Sequence, residues 1–266
     1  MNMSAAWRGL FRKEWVLLKG LTIWIVVLNV LVILAMPSAI ANWVGISGVL
    51  YEHTHIVAGT WFAFYIFSGV GILFYSLAKE MNTPEIWLHS PRTMLQLAGA
   101  KGLFAAFIAI ITLFFGGMLA GIALFILSDG SMASVWQEVL ALVSVLLAIS
   151  LKLSFMMAVG FFFWCLYQVI RFRTRFFAVP LTVMLFFLAL TIGEMLRVNN
   201  FFDWLRKLLP IKLTNEPFYN EQTSYFFTGL VPNGIVFSVG SLLFYVVLIY
   251  ALFAAGSRLF EKKVRL

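Results

Sequence analysis

Long apolar runs, each closed by a stretch rich in charge, proline or polar residues, recur six times along the chain. A helix needs about 20 residues, rising about 1.5 Å each, to cross a hydrocarbon layer of roughly 30 Å. Windows of that length cover approximately residues 21–40, 56–78, 102–127, 139–168, 177–196 and 234–256. None shows the strict apolar/polar alternation over about ten residues that marks a membrane β-strand. The pattern predicts an all-α polytopic membrane protein with six transmembrane helices, residues 1–266 forming one transmembrane domain. On these boundaries only the fourth and fifth spans hold an ionisable acid or base, Lys152 and Glu194.

Composition agrees with a bilayer as solvent. Hydrophobic residues make up 62% of the chain and charged residues 11%, with a mean hydropathy of +0.98. A water-soluble domain of this size would expose large apolar patches at such values. The charges are also sorted. Of nineteen basic residues, fourteen fall in the leader (Arg8, Arg12, Lys13, Lys19), the second connection (Lys79, Arg92, Lys101), the fourth (Arg171, Arg173, Arg175) and the tail (Arg258, Lys262, Lys263, Arg265). The opposite side holds Arg197, Arg206, Lys207 and Lys212. The bias predicts that both termini face the cytoplasm. The net charge of +8 is then a matter of topology and anionic headgroups, with no nucleic acid as partner. A single cysteine, Cys165, excludes an internal disulfide.

Residues 1–19 read as an amphipathic helix, with Trp7, Leu10, Phe11, Trp15 and Leu18 on one face and Arg8, Arg12 and Lys19 opposite, suited to the headgroup layer or to anchoring the first span. The basic leader, Leu21–Met36 and Ala39-Ile40-Ala41 loosely copy a cleavable signal peptide, but the length and amphipathic pattern of the leader favour a retained helix. In the cytoplasmic segment 79–101, Thr83-Pro84 and Ser90-Pro91 each place a hydroxyl N-cap before a proline at the first helical position. A short helix from Pro84 to about His89 follows, carrying Glu85, Ile86, Trp87, Leu88 and His89, with Arg92 beyond it. Its apolar knob suits docking on a partner or dipping into the headgroup layer. The outer segment 197–233 begins with a helix capped by Asn200 and striped with Phe201, Trp204, Leu205 and Leu208, which Pro210 ends. Tyr225–Val231 is a second apolar stretch, so the segment reads as an aromatic anchor or as a lid.

Within the bilayer, Lys152 and Glu194 are the costly residues. Counted from Ala141, Lys152 lies roughly 17 Å deep and Glu194 about 5 Å in from Arg197, which argues against a pair. Lys152 then faces a polar cavity, the bundle interior or the outer surface by snorkelling. Gly117 and Gly121 form a G-x-x-x-G spacing that permits close helix contact. The chain has no phosphate-cradling G-x-x-x-x-G-K-[ST] loop and no H-E-x-x-H. His53 and His55 lie on the opposite side from His89, and Gly45-Ile46-Ser47-Gly48 has no histidine in any span to serve as base. The residues call for no catalytic group, metal or cofactor.

Taken together, the leader with Phe11-Arg12-Lys13-Glu14-Trp15, six spans, the short helix at Glu85–His89, the aromatic outer segment and the closing Leu259-Phe260-Glu261-Lys262-Lys263-Val264 resemble the membrane (permease) subunit of bacterial type-2 ATP-binding-cassette exporters. The resemblance covers nearly the whole chain. It implies that Pro84–Arg92 is a coupling helix seated on a cytoplasmic ATP-binding subunit and that the leader is a connecting helix touching the same partner. It also implies two ATPase copies, a second permease chain, the same or different, and export or flipping of a substrate across the bacterial cell membrane. Lys152 departs from that pattern. The rival reading is a membrane-embedded sensor or immunity protein that binds a peptide or lipid without pumping.

Overall fold

The computed structural model describes residues 3–44, 50–81, 93–127, 132–199, 208–212 and 235–263. Among these the chain is a helical bundle: α1 (Met3–Val30), a π-helical turn (Leu31–Ala35), α2 (Met36–Val44), α3 (Leu50–Met81), α4 (Met94–Leu127), α5 (Met132–Arg173), α6 (Ala178–Val198) and α7 (Val239–Lys263). Six stretches are long and apolar enough to cross a membrane, the first running continuously from Arg8 to Val44. The protein is thus a multi-pass membrane protein. Leu18 of α1, Met94 at the start of α4 and Phe260 near the end of α7 share a core at one end of the bundle. We call this the terminal end.

The helices outrun the expected spans. At about 1.5 Å per residue, the 34 residues of α4 extend roughly 51 Å, well beyond a 30 Å hydrocarbon layer. Thr93, not the end of the charged segment, starts α4: its carbonyl and hydroxyl accept from the Gln96 N–H at 3.1 and 3.4 Å. Lys101 therefore lies two turns inside a helix instead of in a connection. The leader likewise does not stand apart as residues 1–19, because α1 carries it straight into the first span.

The π-turn has a local cause. Pro37 has no N–H to give the Ile33 carbonyl, and its ring crowds that same group. The ladder widens by one residue, the Met36 N–H reaching back to the Leu31 carbonyl. One turn earlier, the fully buried Asn29 uses its whole amide. Its Nδ2 donates to the Tyr65 hydroxyl at 2.6 Å and the Thr112 carbonyl at 3.0 Å, and its Oδ1 accepts from Trp61 Nε1 at 2.7 Å. This polar hub pins α1 to α3 and α4 inside an apolar layer of Ile33, Phe62, Leu113 and Leu146.

α5 is central, packing on α3, α4, α6 and α7. Small residues permit the approach: a Cβ on Gly69 would sit 2.6 Å from Met157 Sδ, and one on Gly117 would sit 2.3 Å from a Leu146 methyl. The G-x-x-x-G spacing of α4 therefore faces α5. α6 is peripheral, with Ala178 its one buried residue among the described side chains. Opposite the terminal end, β1 (Pro210–Lys212) and β2 (Ile235–Ser238) form a short antiparallel ribbon that the hydropathy pattern did not announce. It caps α7. The Val239 and Gly240 N–H groups donate to the carbonyls of Leu209 and Leu208, and the Ser241 N–H to Ser238 Oγ at 3.0 Å. Leu209 holds a left-handed φ of 50° to present its carbonyl. The stretches around Asn200–Leu205 and Tyr225–Val231, and Gly45–Gly48, lie outside the described residues.

Gly69→Leu should force α3 off α5, and overpacking of this kind typically costs about 1–3 kcal/mol. The thermal midpoint of the detergent-purified protein should fall for Gly69→Leu and hold for Gly71→Leu, whose added Cβ meets nothing within 4 Å. Equal midpoints would refute the packing described.

Candidate functional site

On α1, Phe11, Glu14 and Leu18 recur at helical spacing and turn toward the bundle. An acid on that stripe needs a partner in the core. Glu14 is 3% exposed, and Lys101 of α4, also 3% exposed, meets it with Nζ 2.5 Å from Oε1. Lys101 Nζ also donates to Ser76 Oγ of α3 at 2.7 Å, and Ser76 in turn donates to Glu14 Oε2 at 2.7 Å. Glu80 Oε2 lies within ion-pair distance of the same ammonium, 3.2 Å away. Glu80 Oε1 accepts from Lys13, back on the leader.

The cluster is a closed ledger of charge, with two carboxylates and two ammoniums drawn from three helices. Lys101 donates to Glu14 and Ser76 and has Glu80 within ion-pair range, so its charge is compensated out of water. Isolated, that charge would cost several kcal/mol. Apolar packing closes the site on its inner side, with Phe11 against Phe104 at a ring separation of 5.8 Å and Leu18, Leu73, Leu77 and Ala105 around it. A second tie lies nearby: the Met94 N–H at the start of α4 donates to Glu261 of α7. The leader, α3, α4 and α7 are thereby joined at the terminal end by polar bonds as well as by packing.

In this arrangement Ser76 Oγ bridges Lys101 and Glu14, and both carboxylates are engaged by lysines or by the serine. Among the described residues no group of three or more His, Cys, Asp or Glu is placed to hold a metal ion. His55 is buried on α3 with Nδ1 3.2 Å from the Tyr51 carbonyl, in the first turns of a helix and not in a loop. The cluster ties the two helices that flank residues 82–92 to the leader.

Of the residues singled out in the sequence, Pro84, Glu85, Ile86, Trp87, Leu88, His89 and Arg92 lie outside the described residues. Lys152 and Glu194 are exposed, on α5 and α6, and are not paired with each other. Their depths are closer than counting along each helix suggested. Phe163 meets Phe186 across the antiparallel pair, so Glu194 comes level with about Phe155, roughly 5 Å along the axis from Lys152. The buried residues Glu14, Ser76, Glu80 and Lys101 were missed as a set. The signal was present in Glu14 on the apolar stripe of the leader and in Lys101 at helical spacing from Ala98, Ala105 and Ile108. Comparisons with models of protein families, with curated proteins and with solved structures return no match.

Lys101→Met should leave two acids facing one ammonium, and breaking one side of a buried pair typically costs about 3–5 kcal/mol. The double variant Glu14→Met with Lys101→Met removes both charges and should recover most of the lost stability, read as thermal unfolding in detergent. A double variant as unstable as the single one would refute the pairing.

Proposed function

We propose that the chain is the membrane subunit of a bacterial transporter, exporting or flipping a substrate with work done by a separate ATP-hydrolysing partner. In this reading both termini and residues 82–92 face the cytoplasm, two ATPase copies dock there, and a second permease chain completes the pathway. The observation that supports it is the Glu14–Lys101–Ser76–Glu80–Lys13 cluster. A partner pushing on a short connection between two helices moves the protein usefully only if those helices are stiffly joined to the rest. Here α3 and α4 share a lysine with the leader, and the first N–H of α4 is held by α7. A local push then becomes a rigid-body tilt of several helices.

The chain itself performs no chemistry in this mechanism. Its sequence lacks a nucleotide-binding loop, so hydrolysis belongs to the partner. Substrate is moved as the ATPases close and open.

Affinity purification of the full chain from native membranes in mild detergent should bring down an ATPase with a Walker motif in near-equal amount. Trp87→Ala or Glu85→Lys should leave membrane insertion and yield unchanged while ATP hydrolysis no longer drives transport in reconstituted vesicles. A chain that acts without any ATPase, or variants with normal coupling, would overturn the proposal and favour the non-pumping sensor or immunity protein.

A further inference from the structure

A different face of the leader carries a second site, one that rests only on the protein's being embedded in a membrane and not on the transporter reading. Gly9, Arg12, Lys13, Val16 and Leu17 follow one another at i, i+3, i+4, i+7 and i+8, and with Lys79 of α3 they line a groove of ≈ 590 Å³. Arg12 and Lys79 are exposed cations on its rim, whereas Lys13 is engaged by Glu80. Lys79 is steadied over the Tyr75 ring, 5.0 Å from its centroid. After the Lys13–Glu80 pair cancels, the groove keeps an excess of two positive charges.

The floor is apolar, and its continuation decides what fits. Toward the membrane interior the same helix face presents Val16, Gly20, Ile23 and Val27, all exposed, and a Cβ on Gly20 would meet nothing within 4 Å. A cationic rim thus opens onto an unbroken apolar strip about 16 Å long, from Val16 to Val27 at 1.5 Å per residue. An inorganic anion would use only the rim. A nucleic acid would find no surface past it. A molecule with a phosphodiester at one end and a hydrocarbon chain at the other uses both parts.

We infer that this groove is a binding site for one anionic phospholipid, its phosphodiester between Arg12 and Lys79 and an acyl chain along Val16–Val27. Because Lys13 next to Arg12 belongs to the buried charge cluster, the bound lipid braces the leader from outside while Glu14 and Lys101 hold it from within.

The test uses the full-length chain in nanodiscs containing equal phosphatidylglycerol and phosphatidylcholine, with retained lipid counted by native mass spectrometry. The wild type should retain phosphatidylglycerol in preference by roughly thirtyfold, as two exposed cations near an anionic headgroup provide. Arg12→Gln with Lys79→Gln should bring the ratio near parity. Arg173→Gln with Arg175→Gln, which removes two exposed cations from the end of α5 and the turn after it, should leave it unchanged. Millimolar glycerol phosphate should not displace the lipid. An unchanged ratio in the Arg12/Lys79 variant, an equal loss in the Arg173/Arg175 variant, or displacement by glycerol phosphate would each overturn the assignment, the last by showing a site for soluble phosphate compounds. Because both substituted residues are exposed, the variant should keep the wild-type thermal midpoint in delipidating detergent, where no lipid braces the leader. A large drop there would also count against the proposal, since it would give the two cations a structural role.

Discussion

An ammonium group withdrawn from water must find its counter-charges within reach of one nitrogen, and at Lys101 that requirement organises the terminal end of the bundle. Glu14 has to come from the leader, Ser76 and Glu80 from α3, and each must arrive at a fixed height on its own helix. Apolar contacts alone would tolerate a slide of a helical turn between α1, α3 and α4. Satisfied polar groups in a dry site do not, because a slip strands a charge. The register of three helices is set by one lysine.

The other half of the bundle uses a milder version of the same device. Asn29 carries no charge, yet its amide is fully engaged by Trp61, Tyr65 and the Thr112 carbonyl. It sits just before the π-turn that Pro37 imposes, so the first span is anchored immediately ahead of the place where its own ladder is irregular. Two polar hubs, one ionic and one neutral, thus fix α1 against α3 and α4 at different heights. Among the described residues α6 has neither and packs chiefly on α5, leaving its apolar sides for lipid or for another chain.

Much of this was legible from hydropathy. Length and the absence of charge identify membrane helices because lipid leaves an unsatisfied backbone nowhere to go. Helix ends were less legible, since the same reasoning treats a charge as a stop. On that ground hydropathy places Lys101 in a connection, whereas the helix-spaced Ala98, Ala105 and Ile108 show that it faces the core. Glu14 was hidden in the same manner, counted as part of a charged leader although it lies on the apolar stripe. A pairing between residues 14, 80 and 101 depends on which helices are neighbours, and one-dimensional periodicity contains no such information. The ribbon β1–β2 was also invisible, being three and four residues long and built around the left-handed Leu209.

The charge of Lys101 docks the leader into the bundle. Cysteine cross-linking in native membranes tests it most directly, with Phe11→Cys and Phe104→Cys placed where the two rings now meet, in a Cys165→Ser background. A short bifunctional thiol reagent should join the two cysteines rapidly when Lys101 is present and little or not at all when Lys101→Met is added. Cross-linking that fails with Lys101 in place, or that proceeds equally well without it, would contradict the account.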